Sequence, residues 1–183
     1  MRLLAAALVA LTLVGAGCGS NGSGTSEGGS SKIPNDLTVK SSAFADGARI
    51  PQRYSCEGAG VSPPLEWHKV PDGTAELAIV IDDPDAPSGV FYHWVVTGIA
   101  PGRNHLEEGE LPKEAVVATA SSGKAAYIGM CPPSGDKPHH YRFKVYALTR
   151  SLHLDAGLPA KDAVTRVEGA AVGRGTLTAL YSR

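Results

Sequence analysis

The densest run of reactive side chains is Asp82-Asp83-Pro84-Asp85-Ala86-Pro87. His93-Trp94 follows, then Tyr127 and Gly129, then Cys131-Pro132-Pro133-Ser134-Gly135 and His139-His140-Tyr141. Each proline biases the residue before it toward extended backbone and removes a donor, so the Asp-rich run reads as a stiff loop presenting carboxylates. Carboxylates, imidazoles and a phenol can orient one another, share protons and hydrogen-bond a small ligand. Asp82 reads as a turn former, whereas Asp83 and Asp85 read as pocket residues. The plainer alternatives are that all three aspartates serve the turn, that His93 is a satisfied core residue, and that His139 and His140 lie in an exposed loop. Asp and His also ligate metals. There is no HExxH, no His-x-His and no complete Cys/His set, so no metal site is expected.

The elements that must hold these residues have the periodicity of strands. Leu77–Ile81 is a continuous apolar run suited to a buried strand, and Asp82 stands at its end. Phe91–Thr97 is rich in aromatic and β-branched residues. Ala115–Thr119 is a further short candidate. In Tyr141–Leu148, Tyr141, Phe143 and Val145 alternate with Arg142 and Lys144. Thr176–Tyr181 reads as a closing strand. Turn signals at Asp46-Gly47, Pro71-Asp72-Gly73, Pro101-Gly102 and Ser134-Gly135 separate the runs. One helix is expected near Pro159–Ala171, opened by Pro159 or Ala160, with Val164, Val167 and Ala171 on one face. The fold expected is mainly β, a β-sandwich with small helical additions.

Composition narrows the function. The 183 residues carry a net charge of −1 and no Lys/Arg-rich cluster, so nucleic-acid binding is not expected. There is no nucleophile elbow, no phosphate-binding loop and no dinucleotide fingerprint.

The N-terminus has a separate task. Met1-Arg2 is a short positive start, Leu3–Val14 an almost unbroken apolar run, and Gly15-Ala16-Gly17 a small-residue end directly before Cys18. That anatomy describes a lipoprotein signal over residues 1–17, with Cys18 receiving acyl chains; a chance cysteine beside an ordinary signal is the alternative. Gly19–Lys32 is almost entirely Gly, Ser, Asn, Thr and Glu, a flexible tether. Residues 18–35 are read as lipidated cysteine plus tether, and 36–183 as the folded domain. The chain is expected outside the cytoplasm, anchored to the outer face of a bacterial-type cell membrane. In that compartment thiols oxidise, and the two remaining cysteines, Cys56 and Cys131, make a bridge or stay as two buried thiols that never meet.

Taken together, the motifs resemble the phosphatidylethanolamine-binding protein family, and within it the bacterial YbhB/YbcL (Raf kinase inhibitor-like) branch. The resemblance rests on Phe44, Asp46-Gly47 and Ile50-Pro51, on Val61-Ser62-Pro63-Pro64-Leu65 with Trp67, on Asp83-Pro84-Asp85-Ala86-Pro87, on His93-Trp94, and on Cys131-Pro132-Pro133 with His139 through Tyr141. It covers about residues 37–183. It implies a sandwich of two antiparallel sheets with a small pocket at one end that accepts a phosphate, a carboxylate or a phospholipid head group. Carried over by position, the ligand-binding residues are Asp83, Asp85, His93, Pro132, Pro133, His139 and Tyr141. Cys131 stands where the eukaryotic branch has a small residue, often glycine, and His140 where an arginine is common.

Two carboxylates in an anion site need compensation, because one like-charge contact at 4 Å costs roughly 4 kcal/mol at an effective dielectric of about 20. Either an aspartate orients His93 or His139 and favours its charged form, or an aspartate is itself protonated and donates. On either account anion affinity rises as pH falls from about 8 to 5. The function expected is a binding module for a small anion or phospholipid head group, without catalysis and without a cofactor. The alternatives are a regulator that inhibits another protein, such as a kinase or hydrolase, through the pocket rim, and a weak phosphoester or ester hydrolase. A protein partner, if there is one, is not identifiable from the sequence.

Overall fold

The computed structural model describes residues 33–183. The signal segment, Cys18 and the tether as far as residue 32 lie outside the described residues. Ile33 packs against a core cluster, and the backbone N–H of Arg174 donates to the Pro34 carbonyl (2.8 Å), so ordered packing starts slightly before residue 36.

Eight strands and one α-helix follow in chain order. They are β1 (Thr38–Lys40), β2 (Leu65–His68), β3 (Glu76–Asp83), β4 (Phe91–Ile99), β5 (His105–Leu106), β6 (Val116–Val117), β7 (His139–Leu148), α1 (Ala160–Ala170) and β8 (Ala171–Tyr181). A 3-10 turn occupies Gln52–Tyr54. The strands form a three-stranded sheet ordered β1-β2-β5 and a five-stranded sheet ordered β6-β4-β3-β7-β8. All strand pairings within the two sheets are antiparallel.

β3 is buried along its whole length because both faces of the large sheet are covered. Leu77, Ile79 and Ile81 point into the core between the sheets, against Leu65, Trp67 and Phe143. Ala78 and Val80 point the other way, into a second core with Tyr146, Leu148 and the helix. A strand with two buried faces shows no polar alternation, which explains the unbroken apolar run. Each fully buried branched aliphatic side chain contributes about 1.5–3 kcal/mol.

Helix α1 begins after Pro159, whose fixed φ suits the position before a first helical turn, and Asp162 lies in that first turn. Ala160, Ala163, Val164, Val167 and Ala170 are buried at helical spacing. The helix ends where Ala171 turns extended and enters β8 directly. The apolar stripe therefore closes on Ala170, one residue before the expected Ala171.

All four turn signals fall in turns. Three expectations change in detail. The run at Ala115–Thr119 yields only a two-residue strand, β6. The closing strand starts five residues earlier than Thr176. Asp82 is not in a turn; it lies within β3 and is 2% exposed.

Candidate functional site

The C-terminal end of β3, the start of β4 and the start of β7 meet at one end of the sandwich, and a cavity of about 200 Å³ opens there. Its polar wall is Asp83, His93, His139 and Tyr141. The apolar wall comes from Ala86 and Pro87 on one side, Phe91 and Ile128 at the base, and Gly129 and Cys131 through Pro133 on the other. Six of the seven expected binding residues are brought together. Asp85 is not part of this wall; it borders an adjoining open depression with Asp136, Lys137, Pro138, His139 and His140.

Strand alternation places Asp83 and Ile81 on the same face of β3, and Tyr141 and His139 on the matching face of β7. His93 reaches that face by a different device. Ile81 pairs with Trp94 and Asp82 with Tyr92, so His93 has no partner in the ladder: it is a β-bulge. Without the bulge, alternation from Val96 and Trp94 in the inter-sheet core would send His93 to the helix face. With it, Tyr92 packs on the helix side and His93 lines the cavity. Bulges commonly re-aim a side chain in this way beside a site.

The imidazoles are held in defined orientations. The His93 Nδ1–H donates to the Ile128 carbonyl (2.8 Å), and the Ile128 N–H donates back to the His93 carbonyl (3.0 Å). This leaves Nε2 as the free ring nitrogen. Burial pushes the His93 pKa below the usual histidine value; the bond to Ile128 and the charges of Asp83 and Asp82 offset this only in part. The ring lies edge-on to Tyr141 at 5.3 Å and tilted against Phe91 at 4.7 Å.

His139 donates from Nδ1 to Asp83 Oδ2 (2.7 Å), and both side chains are buried. Its Nε2 is 3.7 Å from Asp136 Oδ2. The other oxygen of Asp83 accepts the Asp85 N–H (2.8 Å), so Asp83 is engaged on both sides and fixes the proline-rich loop. Asp85 in turn accepts the His140 backbone N–H and the His140 Nδ1–H, both at 2.7 Å. The backbone bond from His140 is the main reason its pKa lies below the usual carboxylate value. Asp85 thus clamps the loop to β7.

Tyr141 is fully buried, and its hydroxyl has no hydrogen-bond partner among the described residues. Burial, reinforced by the charge of Asp83 and by the approach of the hydroxyl to that carboxylate, pushes its pKa far above the usual tyrosine range, so it remains neutral; the approach to Asp83 falls short of hydrogen-bond geometry. A buried hydroxyl without a partner costs about 1–3 kcal/mol and calls for an explanation. The residues lining the cavity include no lysine or arginine.

The wall carrying Gly129 to Pro133 is fixed from behind. Cys56 and Cys131 form a disulfide, with Cα atoms 5.4 Å apart. Ser55 bridges Met130, and the Cys56 N–H donates to the Met130 carbonyl (3.1 Å). The backbones approach so closely that a Cβ on Gly129 would stand 2.7 Å from the Ser55 carbonyl carbon; only glycine fits. Arg183 Nε donates to the Pro132 carbonyl (2.7 Å). The support from Arg183 and the contributions of Phe91 and Ile128 carry no local sequence signal. Among the described residues, no group of three or more His, Cys, Asp or Glu side chains is arranged to hold a metal.

The phosphatidylethanolamine-binding protein family model matches residues 40–182. A Mycobacterium tuberculosis protein named "Putative lipoprotein LppC" is 46% identical over 145 residues, covering 79% of this chain and 72% of the relative. A UPF0098 protein of Methanothermobacter thermautotrophicus is 43% identical over 152 residues, covering 80% of this chain and 99% of the relative. The crystal structure of E. coli YbcL, described as a new member of the mammalian PEBP family, superposes with a TM-score of 0.77 at 31% identity over 80% of this chain and 98% of that one. Two antiparallel sheets, a late helix and a matched model spanning nearly the whole folded part agree on one conclusion: the chain belongs to the phosphatidylethanolamine-binding protein family, in the bacterial branch that includes YbcL.

Proposed function

We propose that the cavity at the β3–β4–β7 end binds a small monoanion, such as a carboxylate or the phosphodiester of a head group, and that the protein is a binding module without catalysis. The observation that carries this reading is the buried, unpartnered hydroxyl of Tyr141 in a cavity shared with His93 and the Asp83–His139 pair. The hydroxyl is a donor awaiting an acceptor. His93 supplies a second donor once a proton is taken up on Nε2. The lining offers no permanent cation and contains Asp83, so a dianion is poorly matched, whereas a single charge balanced by one protonated histidine is well matched. The apolar remainder of the wall suits a ligand with a compact hydrocarbon portion.

The test is titration of the natively purified protein with dimethyl phosphate and with propionate, alongside mass spectrometry of small molecules that co-purify. Binding to the wild type that is lost in His93→Ala supports the reading. Equal binding by both proteins, or none by the wild type, overturns it. Turnover of an ester or phosphoester by the wild type that disappears in His93→Ala would make the site an enzyme's.

The same reading places the domain outside the cytoplasm on a lipid anchor. Support comes from the charged, apolar and small-residue segments before Cys18 and from the lipoprotein name of the mycobacterial relative. Acylated Cys18 at the mature N-terminus, and release from the membrane fraction in Cys18→Ser, are the expected results. An unmodified N-terminus would refute the anchor.

A further inference from the structure

The Cys56–Cys131 disulfide has a position that a purely structural staple does not require. Both cysteines are exposed, and Cys131 is itself a wall of the cavity. Exposed disulfides are the ones open to attack by a thiolate and are more readily exchanged than buried ones. The bridge is also the one covalent tie on the segment from Ile128 to Pro133, which contributes five lining residues. The other ties described above are hydrogen bonds: two between Ile128 and His93, one from the Cys56 N–H to Met130, and one from Arg183 to Pro132.

We propose that Cys56–Cys131 is a thiol–disulfide exchange site whose redox state sets how tightly the cavity holds its ligand. The reactant class is a dithiol whose two thiols can close on each other as an unstrained disulfide, either a small molecule or one carried by a protein. One thiolate of the dithiol attacks a sulfur of the bridge, forming a mixed disulfide and releasing one cysteine thiolate. The second thiol of the reductant then attacks the mixed disulfide. Two electrons pass to the bridge, the dithiol leaves as its disulfide, and its two protons end on Cys56 and Cys131. The wall from Ile128 to Pro133 then keeps its hydrogen bonds and the buried Met130 anchor but loses its covalent tie, and the exposed Cys131 side of the cavity loosens.

The affinity readout rests on the anion reading above, so the experiment carries a second readout that does not. The full-length protein is titrated with dimethyl phosphate in its oxidised form, after reduction by dithiothreitol, and after reoxidation. Circular dichroism monitors the fold, and hydrogen exchange is followed at the amides of Cys56 and Ile128. The expected result is a retained fold, at least fivefold weaker binding on reduction, recovery on reoxidation, and faster exchange at both amides. Cys56→Ser/Cys131→Ser is expected to behave as the reduced form and no longer respond to dithiothreitol. A bridge inert to dithiothreitol under native conditions overturns the proposal. So does global unfolding on reduction, which would make the bridge a staple of the whole fold. Equal affinity in both states also overturns it while leaving the anion reading intact. If no form binds dimethyl phosphate, the anion reading fails and the exchange data decide: faster exchange supports a released wall, and unchanged exchange refutes it.

Discussion

Asp82 and Asp83 are neighbours in sequence at the end of one strand, yet they face opposite sides of the sheet and have opposite characters. Asp82 points to the helix side, where Arg142 Nε donates to Oδ1 and Lys144 Nζ to Oδ2, both at 2.6 Å. Its carboxylate is 2% exposed and answered by two permanent cations, one of them nearly buried. Asp83 points into the cavity, where its side-chain partners are a histidine and a backbone amide. One face therefore carries a carboxylate paired with two cations. The other carries His93, whose pKa burial holds below the usual histidine value, beside the Asp83–His139 hydrogen bond. The charge cluster is satisfied from within the protein, whereas the Tyr141 hydroxyl on the cavity side has no partner of hydrogen-bond geometry among the described residues.

The sharpest way to break this contrast is Asp82→Ala. It leaves Lys144 buried without its carboxylate, and breaking a buried pair from one side costs about 3–5 kcal/mol. Urea unfolding should show that loss. If stability changes by less than about 1 kcal/mol, the cluster is solvated and the contrast fails. Tyr141→Phe should do the reverse on the cavity face. The empty protein keeps or gains stability, because an unpartnered buried hydroxyl is removed. Anion binding weakens by about 1.5–3 kcal/mol, at least tenfold in Kd, the worth of a hydrogen bond to a charged group. Unchanged affinity for dimethyl phosphate would show that the hydroxyl does not meet the ligand.

The sequence made these two faces unequally legible. β7 announces itself by alternation, and the order of motifs pointed to Asp83, His139, Tyr141 and Pro132–Pro133, which the structure brings to one cavity. Asp82 was misread because an Asp-Asp-Pro run looks like a turn, while the partners that keep it in the strand, Arg142 and Lys144, lie some 60 residues away. Asp85 was drawn toward the cavity by the same motif, but the structure uses it to clamp His140. The bulge at His93 is a matter of pairing register, which composition does not encode, so the orientation of that ring came from the family resemblance and not from periodicity. Strands β1, β2 and β5 are two to four residues long, too short for any pattern to stand out.

A pH series refines the comparison on the cavity side alone. Burial depresses the pKa of His93 in the free protein, so the unfolded chain takes up a proton before the folded one does. Stability contributed by neutral His93 is therefore present above the ordinary value near 6.5 and falls as pH drops below it. A bound anion favours the charged ring and reverses that loss. Affinity for dimethyl phosphate, which stays a monoanion throughout, should rise as pH falls from about 8 to 5, by up to roughly tenfold per unit. The thermal shift it produces should grow in parallel. A flat profile would remove His93 from the account, and the same series on Asp82→Asn should keep the form of the wild-type profile, moved slightly to lower pH because the Asp82 charge raises the His93 pKa.

The smallest effect is expected from Asp85→Ala, and it tests whether the clamp matters to the site. The Asp85–His140 pair is about half exposed, so its loss should cost at most about 1 kcal/mol in stability. The two bonds to Asp85 nevertheless fix Pro84 to Pro87, and Ala86 and Pro87 form one side of the cavity. A loop freed at this point should weaken dimethyl phosphate binding a few-fold while leaving its pH profile unchanged, because His93 is untouched. A shifted profile would mean that Asp85 acts on the titrating groups directly. In that case the adjoining depression and the cavity form a single electrostatic site, and the division drawn between the aspartates would have to run between Asp82 and both of the others.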